Sequence, residues 1–148
     1  MRNPSKSVYA NFLMLKGGLF IYTLTNFESR ATIGVDFLLA DYENLIAIVK
    51  DLICKIIEVP TVNDYITMTS QCFEEISPQR KYHGISTRIV AQIKNVRVPF
   101  NIDISVGVLV VPIPDHPKIN TQLSNFKPPI IKTYSLEITI AEKFDAIL

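Results

Sequence analysis

Arg30-Ala31-Thr32-Ile33-Gly34-Val35-Asp36-Phe37-Leu38-Leu39 is the stretch on which the fold turns. From Thr32 to Leu39 it is rich in β-branched and aromatic residues. Successive side chains of a strand point to opposite sides, so the alternation predicts Ile33, Val35, Phe37 and Leu39 on one face and Thr32, Gly34, Asp36 and Leu38 on the other. Asp36 is its only charge, a lone carboxylate on an otherwise uncharged strand. Upstream, the apolar run Phe12 to Lys16 ends in Gly17-Gly18, and an apolar pattern resumes over Leu19 to Leu24, which reads as strand, tight turn, helix.

Downstream, Asp41 to Val59 carries Leu45, Ile48, Val49, Leu52, Ile56 and Ile57 on one stripe, with Glu43, Lys50, Asp51, Lys55 and Glu58 between them. That is the pattern of an amphipathic helix. Asp41 suits its N-cap, Glu43 complements the helix dipole, and Pro60 ends it. Burying the stripe should be a main source of core stability, about 1.5–3 kcal/mol per fully buried aliphatic side chain before the entropy cost.

After Pro60 the period changes to two, giving candidate strands Tyr65 to Ile76, Ile85 to Lys94 and Val98 to Val106, the last two joined as a hairpin through Asn95-Val96. Ile85, Ile89, Ala91 and Ile93 face one way, and Ser86, Arg88, Gln92 and Lys94 the other. Val98, Phe100, Ile102, Ile104 and Val106 form an inward row, which leaves Asn101, Asp103 and Ser105 opposite. Five prolines make Val111 to Pro129 a surface loop. Tyr134 to Leu148 is helical in pattern, with Leu136, Ile140, Phe144 and Ile147 on one stripe and Ser135 or Thr133 as cap. Ala146-Ile147-Leu148 lacks the usual stop signals. The expectation is a shortened form of something longer, with apolar surface left for a partner or a second copy.

The 148 residues, 48% hydrophobic and 20% charged, suffice for one domain over 1–148. A net charge of +1 gives no bulk argument for a nucleic-acid coat or a polybasic membrane binder. The longest uncharged runs, Gly17 to Phe27 and Ile104 to Pro114, are eleven residues each, well short of the roughly 20 that span a bilayer. Lys16-Gly17-Gly18 interrupts the first apolar stretch and no small-residue cleavage site follows, which argues against a signal peptide. Cys54 and Cys72 lack the spacing of a zinc or redox site and read as two buried reduced thiols of a cytoplasmic protein. His83 and His116 are far apart and read as loop residues.

Four features fit one kind of site: a Gly-Gly bend leading into a helix, an acidic residue on the next strand, a second on a later strand, and a lysine on the last helix. The bend lets backbone approach a phosphate and aims helix amides at it, or it is a plain strand-to-helix turn. Two carboxylates from adjacent strands can hold a hard cation that bridges nucleotide phosphates, or each can be merely solvated. Together the residues resemble the nucleotidyltransferase fold, and more closely the abortive-infection toxin family AbiEii/AbiGii. The resemblance lies in Leu15-Lys16-Gly17-Gly18, in Arg30-Ala31-Thr32-Ile33-Gly34-Val35-Asp36-Phe37, in Asn101-Ile102-Asp103-Ile104 with Gly107 and Val111-Pro112, and in Tyr134-Ser135-Leu136-Glu137 running into Ile140-Ala141-Glu142-Lys143-Phe144-Asp145-Ala146. Order and spacing match over most of the chain.

The resemblance implies an α+β, nucleotidyltransferase-like mixed β-sheet with helices packed on it. It further implies transfer of a nucleoside monophosphate from a nucleoside triphosphate to an acceptor, with RNA a candidate, in a toxin–antitoxin or phage-defence setting with a cognate antitoxin. Carried over by position, Asp36 and Asp103 are the magnesium ligands, Lys16, Gly17 and Gly18 cradle the triphosphate, Lys143 neutralises phosphate charge, and Arg30 is a weaker candidate for the same task. Lys143 has an alternative as a solvated lysine beside Glu142.

The departures bear on activity. Gly34 stands where the family pattern has a first aspartate two residues before the second, on the same strand face. Leu19 replaces a small hydroxyl residue and Val108 stands where an acidic residue often follows the later glycine; the expectation is that the family's C-terminal helical region is missing. Nucleotidyl transfer depends on metal charge placed at the reacting oxygens, so losing one ligand should harm the transition state more than nucleotide binding. Two outcomes stay open: an impaired metal-dependent enzyme, and an inactive remnant that binds a nucleotide or a protein.

Overall fold

A computed structural model of the protein describes residues 11–40, 46–59, 65–76, 84–107, 118–145 and 147. The chain order is β1 (Leu13–Lys16), α1 (Gly17–Leu24), β2 (Gly34–Ala40), α2 (Ile46–Glu58), β3 (Ile66–Ile76), β4 (Gly84–Ile93), β5 (Val96–Gly107), β6 (Lys132–Thr133) and α3 (Leu136–Asp145). The strands form one mixed six-stranded sheet in the order β3-β4-β5-β2-β1-β6. β2 runs parallel to β5 and β1 parallel to β6, while the other pairs are antiparallel. This is an α+β fold.

The alternation in β2 decides what each face does. Phe37 and Leu39 join Leu13 and Leu15 of β1, Ile104 and Val106 of β5, and Ile85 and Ile89 of β4 in the main core. Val49, Leu52, Ile53 and Ile56 of α2 close over that core, with Phe20 of α1. Of the expected stripe, Val49, Leu52 and Ile56 are in the core with Ile57 packed against it, Ile53 joins them, and Ile48 stays outside the core cluster. The caps assigned to Asp41 and Pro60, and the residues Glu43, Leu45, His83, His116 and Val108, lie outside the described residues.

On the opposite face, Met14, Leu38, Ala40 and Tyr134 form a smaller cluster with Ile138 of α3 packed against it. α3 thus covers one end of that face. Ser135 caps it: its Oγ accepts the Ile138 N–H at 3.3 Å, and Thr133 belongs instead to β6. The stripe Leu136, Ile140, Phe144 and Ile147 faces away from the sheet and is exposed, whereas Thr139 is buried.

Three further expectations are corrected. The hairpin turn falls at Lys94-Asn95, with Lys94 at a φ of 51°, one residue earlier than the Asn95-Val96 reading. The inward row of β5 is buried only at Ile104 and Val106, while Val98 is 52% exposed. The reason is topological: β2 pairs only with Asn101 to Gly107, so the first half of β5 runs past it. Both thiols are free: Cys54, on α2, is half-buried, and Cys72 is exposed because β3 is an edge strand.

Candidate functional site

The sheet register brings the two lone aspartates together. Asp36 on β2 is the direct partner of Asp103 on β5. Neighbouring strands lie about 4.8 Å apart, so register partners share a face and project side by side. Antiparallel pairing sets Lys16 on the other side of Asp36 and Ser86 on the other side of Asp103. One row across the sheet therefore reads Lys16, Asp36, Asp103, Ser86, on the face that α3 leaves partly open.

Each member has a defined partner. The Ser86 hydroxyl donates to Asp103 Oδ1 at 2.5 Å. The Gly18 N–H, in the first turn of α1, donates to the Asp36 carboxylate. Burial and the like charge of Asp103 push the Asp36 carboxyl above its usual range, and Lys16, the Gly18 amide and Lys143 only partly offset them. Asp103 thus raises the cost of charge on Asp36, which a cation would relieve.

The Gly-Gly bend is fixed by this pairing. Gly17 has a φ of 70°, and a Cβ there would run into the Asp36 side chain, 2.8 Å from Cγ and 2.9 Å from Cβ. Glycine at 17 therefore makes room for Asp36 itself. Gly18 is less constrained, since a Cβ would meet Thr32 at 3.4 Å. The turn and the helix are not separate: α1 begins at the glycines themselves.

α3 supplies the second wall. Lys16 Nζ lies 3.6 Å from Glu142 Oε1 and 5.6 Å from the centroid of the Tyr134 ring. Burial, then the charge of Glu142 and the hydrogen bond it accepts from the hydroxyl, pushes Tyr134 well above the usual phenol range. Lys143 acts on Asp36 from the same helix.

Of the residues singled out from sequence, the structure brings together Lys16, Gly17, Gly18, Asp36, Asp103 and Lys143. Arg30 is exposed in the α1–β2 connection, and among the described residues no hydrogen bond or ion pair links it to the row. Ser86, Tyr134 and Glu142 were not foreseen as site residues. The turn held the signal for the first: Lys94-Asn95 puts Ser86 opposite Asp103, whereas a turn at Asn95-Val96 would put Arg88 there.

Among the described residues no group of three acidic, histidine or cysteine side chains could enclose a metal. Gly34 is the register partner of Asn101, one step along the same face as Asp36, and contributes no oxygen. Two carboxylates nevertheless fit a small hard cation such as magnesium, which is commonly held by one or two carboxylates together with water and substrate phosphates.

A family model described as the nucleotidyl transferase AbiEii toxin of a type IV toxin–antitoxin system matches residues 1–148. Among curated proteins nothing matches the chain. Two solved structures are similar to it. One, a protein from H. pylori assigned as a nucleotidyltransferase, has a TM-score of 0.49 at 13% identity, over 96% of this chain and 52% of that one. The other, JHP933 from Helicobacter pylori, has a TM-score of 0.47 at 15% identity, over 96% of this chain and 50% of that one. The chain spans about half the length of each.

Proposed function

This chain belongs to the AbiEii nucleotidyl transferase toxin family, and on that premise we propose that residues 1–148 act as one nucleotidyltransferase-like domain that moves a nucleoside monophosphate from a nucleoside triphosphate to an RNA acceptor. The observation that carries the reading is the register pairing of Asp36 with Asp103 beside the Gly17-Gly18 bend. Asp36 and Asp103 would hold one magnesium ion, which supplies charge neutralisation at the phosphate oxygens when bound. Lys16 and Lys143 flank the carboxylates and neutralise the remaining triphosphate charge. The first turn of α1 offers backbone amides to a phosphate, and a phosphate placed there competes with Asp36 for the Gly18 N–H. A cognate antitoxin is the protein partner that the family implies. The free Cys54 and Cys72 thiols suit the reducing cytoplasm.

Gly34 sets the rate. In-line transfer depends on charge held at the reacting oxygens, and one missing oxygen ligand lowers turnover more than nucleotide affinity. The same residue motivates the second reading, a nucleotide-binding protein that no longer turns over. Position 34 has space for a side chain: its Cβ would come no closer than 3.8 Å to a heavy atom, the Asn101 carbonyl oxygen.

The test compares label transfer from α-phosphate-labelled triphosphates to bulk RNA by the parent chain and by Gly34→Asp, with magnesium. Labelling by the parent that Asp36→Ala abolishes establishes the enzyme. Labelling only after Gly34→Asp establishes the second reading. Labelling by neither chain, with no thermal shift on adding magnesium and any of the four triphosphates, removes the nucleotide site itself.

A further inference from the structure

The row across the sheet has a direction. At one end stand Lys16 and the first turn of α1, whose Gly18 amide points at Asp36. In the middle are Asp36 and Asp103. At the other end, on the far side of Asp103, is the half-buried Ser86 hydroxyl, 2.5 Å from Asp103 Oδ1.

Phosphoryl and nucleotidyl transfer require the attacking and leaving oxygens to lie roughly in line on opposite sides of the phosphorus. With the β- and γ-phosphates at the cationic α1 end, the α-phosphorus comes over the carboxylates and the attacking hydroxyl must approach from the Ser86 side. Ser86 is a hydroxyl already in place there, with its proton directed at a carboxylate. A carboxylate within hydrogen-bond reach fixes the direction of the serine oxygen for attack.

We propose that Ser86 is itself an acceptor, so that the chain nucleotidylates its own β4 strand. This rests on the nucleotidyl-transfer reading above. Ser86 Oγ attacks the α-phosphorus of the triphosphate, and an Oγ–P bond forms. The bond from the α-phosphorus to the oxygen bridging the β-phosphate breaks, and pyrophosphate leaves with that electron pair. The hydroxyl proton is released to water. The products are a Ser86 nucleoside monophosphate ester and pyrophosphate, with no change of oxidation state. The ester occupies the acceptor end of the row, so one modification per chain blocks a second acceptor from entering.

The test uses the full chain and its Gly34→Asp form, each incubated with magnesium chloride, the four ribonucleoside triphosphates in turn, and bulk RNA. Intact mass and peptide mapping read the chain, and gel autoradiography reads the RNA. The expected result is a mass gain of one nucleoside monophosphate unit per chain, mapped to Ser86, absent from Ser86→Ala and present at the same position in Ser86→Thr. Mapping of whichever of the two chains gains mass decides the matter even if Ser86→Ala fails to fold. A gain mapped to another residue overturns the proposal. So does the absence of any gain in both chains, and the RNA lane then decides separately: labelled RNA leaves the nucleotidyl-transfer reading standing, and unlabelled RNA removes that as well.

Discussion

Alanine substituted for Gly17 should damage the protein through Asp36 as well as through the backbone. The backbone contribution comes from φ, which is 70° at this position, and left-handed geometry costs an L-residue about 1–2 kcal/mol. The second contribution is steric: the added methyl would sit within 2.9 Å of both Asp36 Cγ and Cβ, so the carboxylate must swing away and give up the Gly18 N–H. A hydrogen bond to a charged group is worth about 1.5–3 kcal/mol, taken at its lower end because Asp36 is only partly buried. Gly17→Ala should therefore destabilise by about 2–4 kcal/mol in urea unfolding at constant m-value. In an Asp36→Ala background the carboxyl is gone, and the cost should fall to about 1–2 kcal/mol, which is the backbone share. Gly18→Ala should be neutral or stabilising by up to about 1 kcal/mol, since it gains helix propensity and its Cβ meets Thr32 at an ordinary 3.4 Å. Equal costs for Gly17→Ala with and without Asp36, or a Gly18→Ala as damaging as Gly17→Ala, would refute the reasoning.

Three further outcomes are expected. Asp36 titrates above its usual value of 3.8 in the fold because burial and Asp103 oppose its charge, so the stability it contributes is complete below that pH and is lost as pH rises through the raised native value. Thermal melts should accordingly show Asp36→Asn gaining on the parent from acid to neutrality, and a gap that closes with rising pH would contradict this. Thr87 is 1% exposed and its hydroxyl has no hydrogen-bond partner among the described residues, so Thr87→Val should raise stability by about 1 kcal/mol in the same urea assay. Phe144 on α3 is 64% exposed while Leu52 on α2 is 0% exposed; Phe144→Ala should change stability by less than about 0.5 kcal/mol and Leu52→Ala should cost about 2–5 kcal/mol.

How much of this was legible in the sequence follows from the range of each interaction. The alternation in β2 and the stripe on α2 are local patterns, and from Gly34 on both faces of β2 came out as read, with Phe37 and Leu39 in the core and Asp36 opposite, while Ile33 precedes the strand and is exposed. The hairpin was legible in kind. Its register was not, because moving a two-residue turn by one position shifts every cross-strand pair by two residues while keeping the faces. Ser86 was lost to that shift. The side-by-side pairing of Asp36 and Asp103 has no local signature at all, since parallel strands separated by α2, β3 and β4 find each other only in the folded sheet; the ordered motifs, not the spacing, pointed to it. β6 is two residues long, too short for any periodicity to show. On α3 the helical pattern was real, but its apolar stripe faces outward, and the contacts that matter come from Ile138 and from Tyr134, which precedes the helix. Helical periodicity identifies a stripe without saying what covers it.

The most direct measurement of the central claim is an equilibrium titration of the chain with each nucleoside triphosphate, with magnesium and with chelator, repeated on the Asp36→Asn, Asp103→Asn double variant. Saturable binding that needs the cation and disappears in the double variant is the expected result. Binding of the same affinity with chelator, or unchanged in the double variant, would contradict a cation-dependent nucleotide pocket built on these two carboxylates.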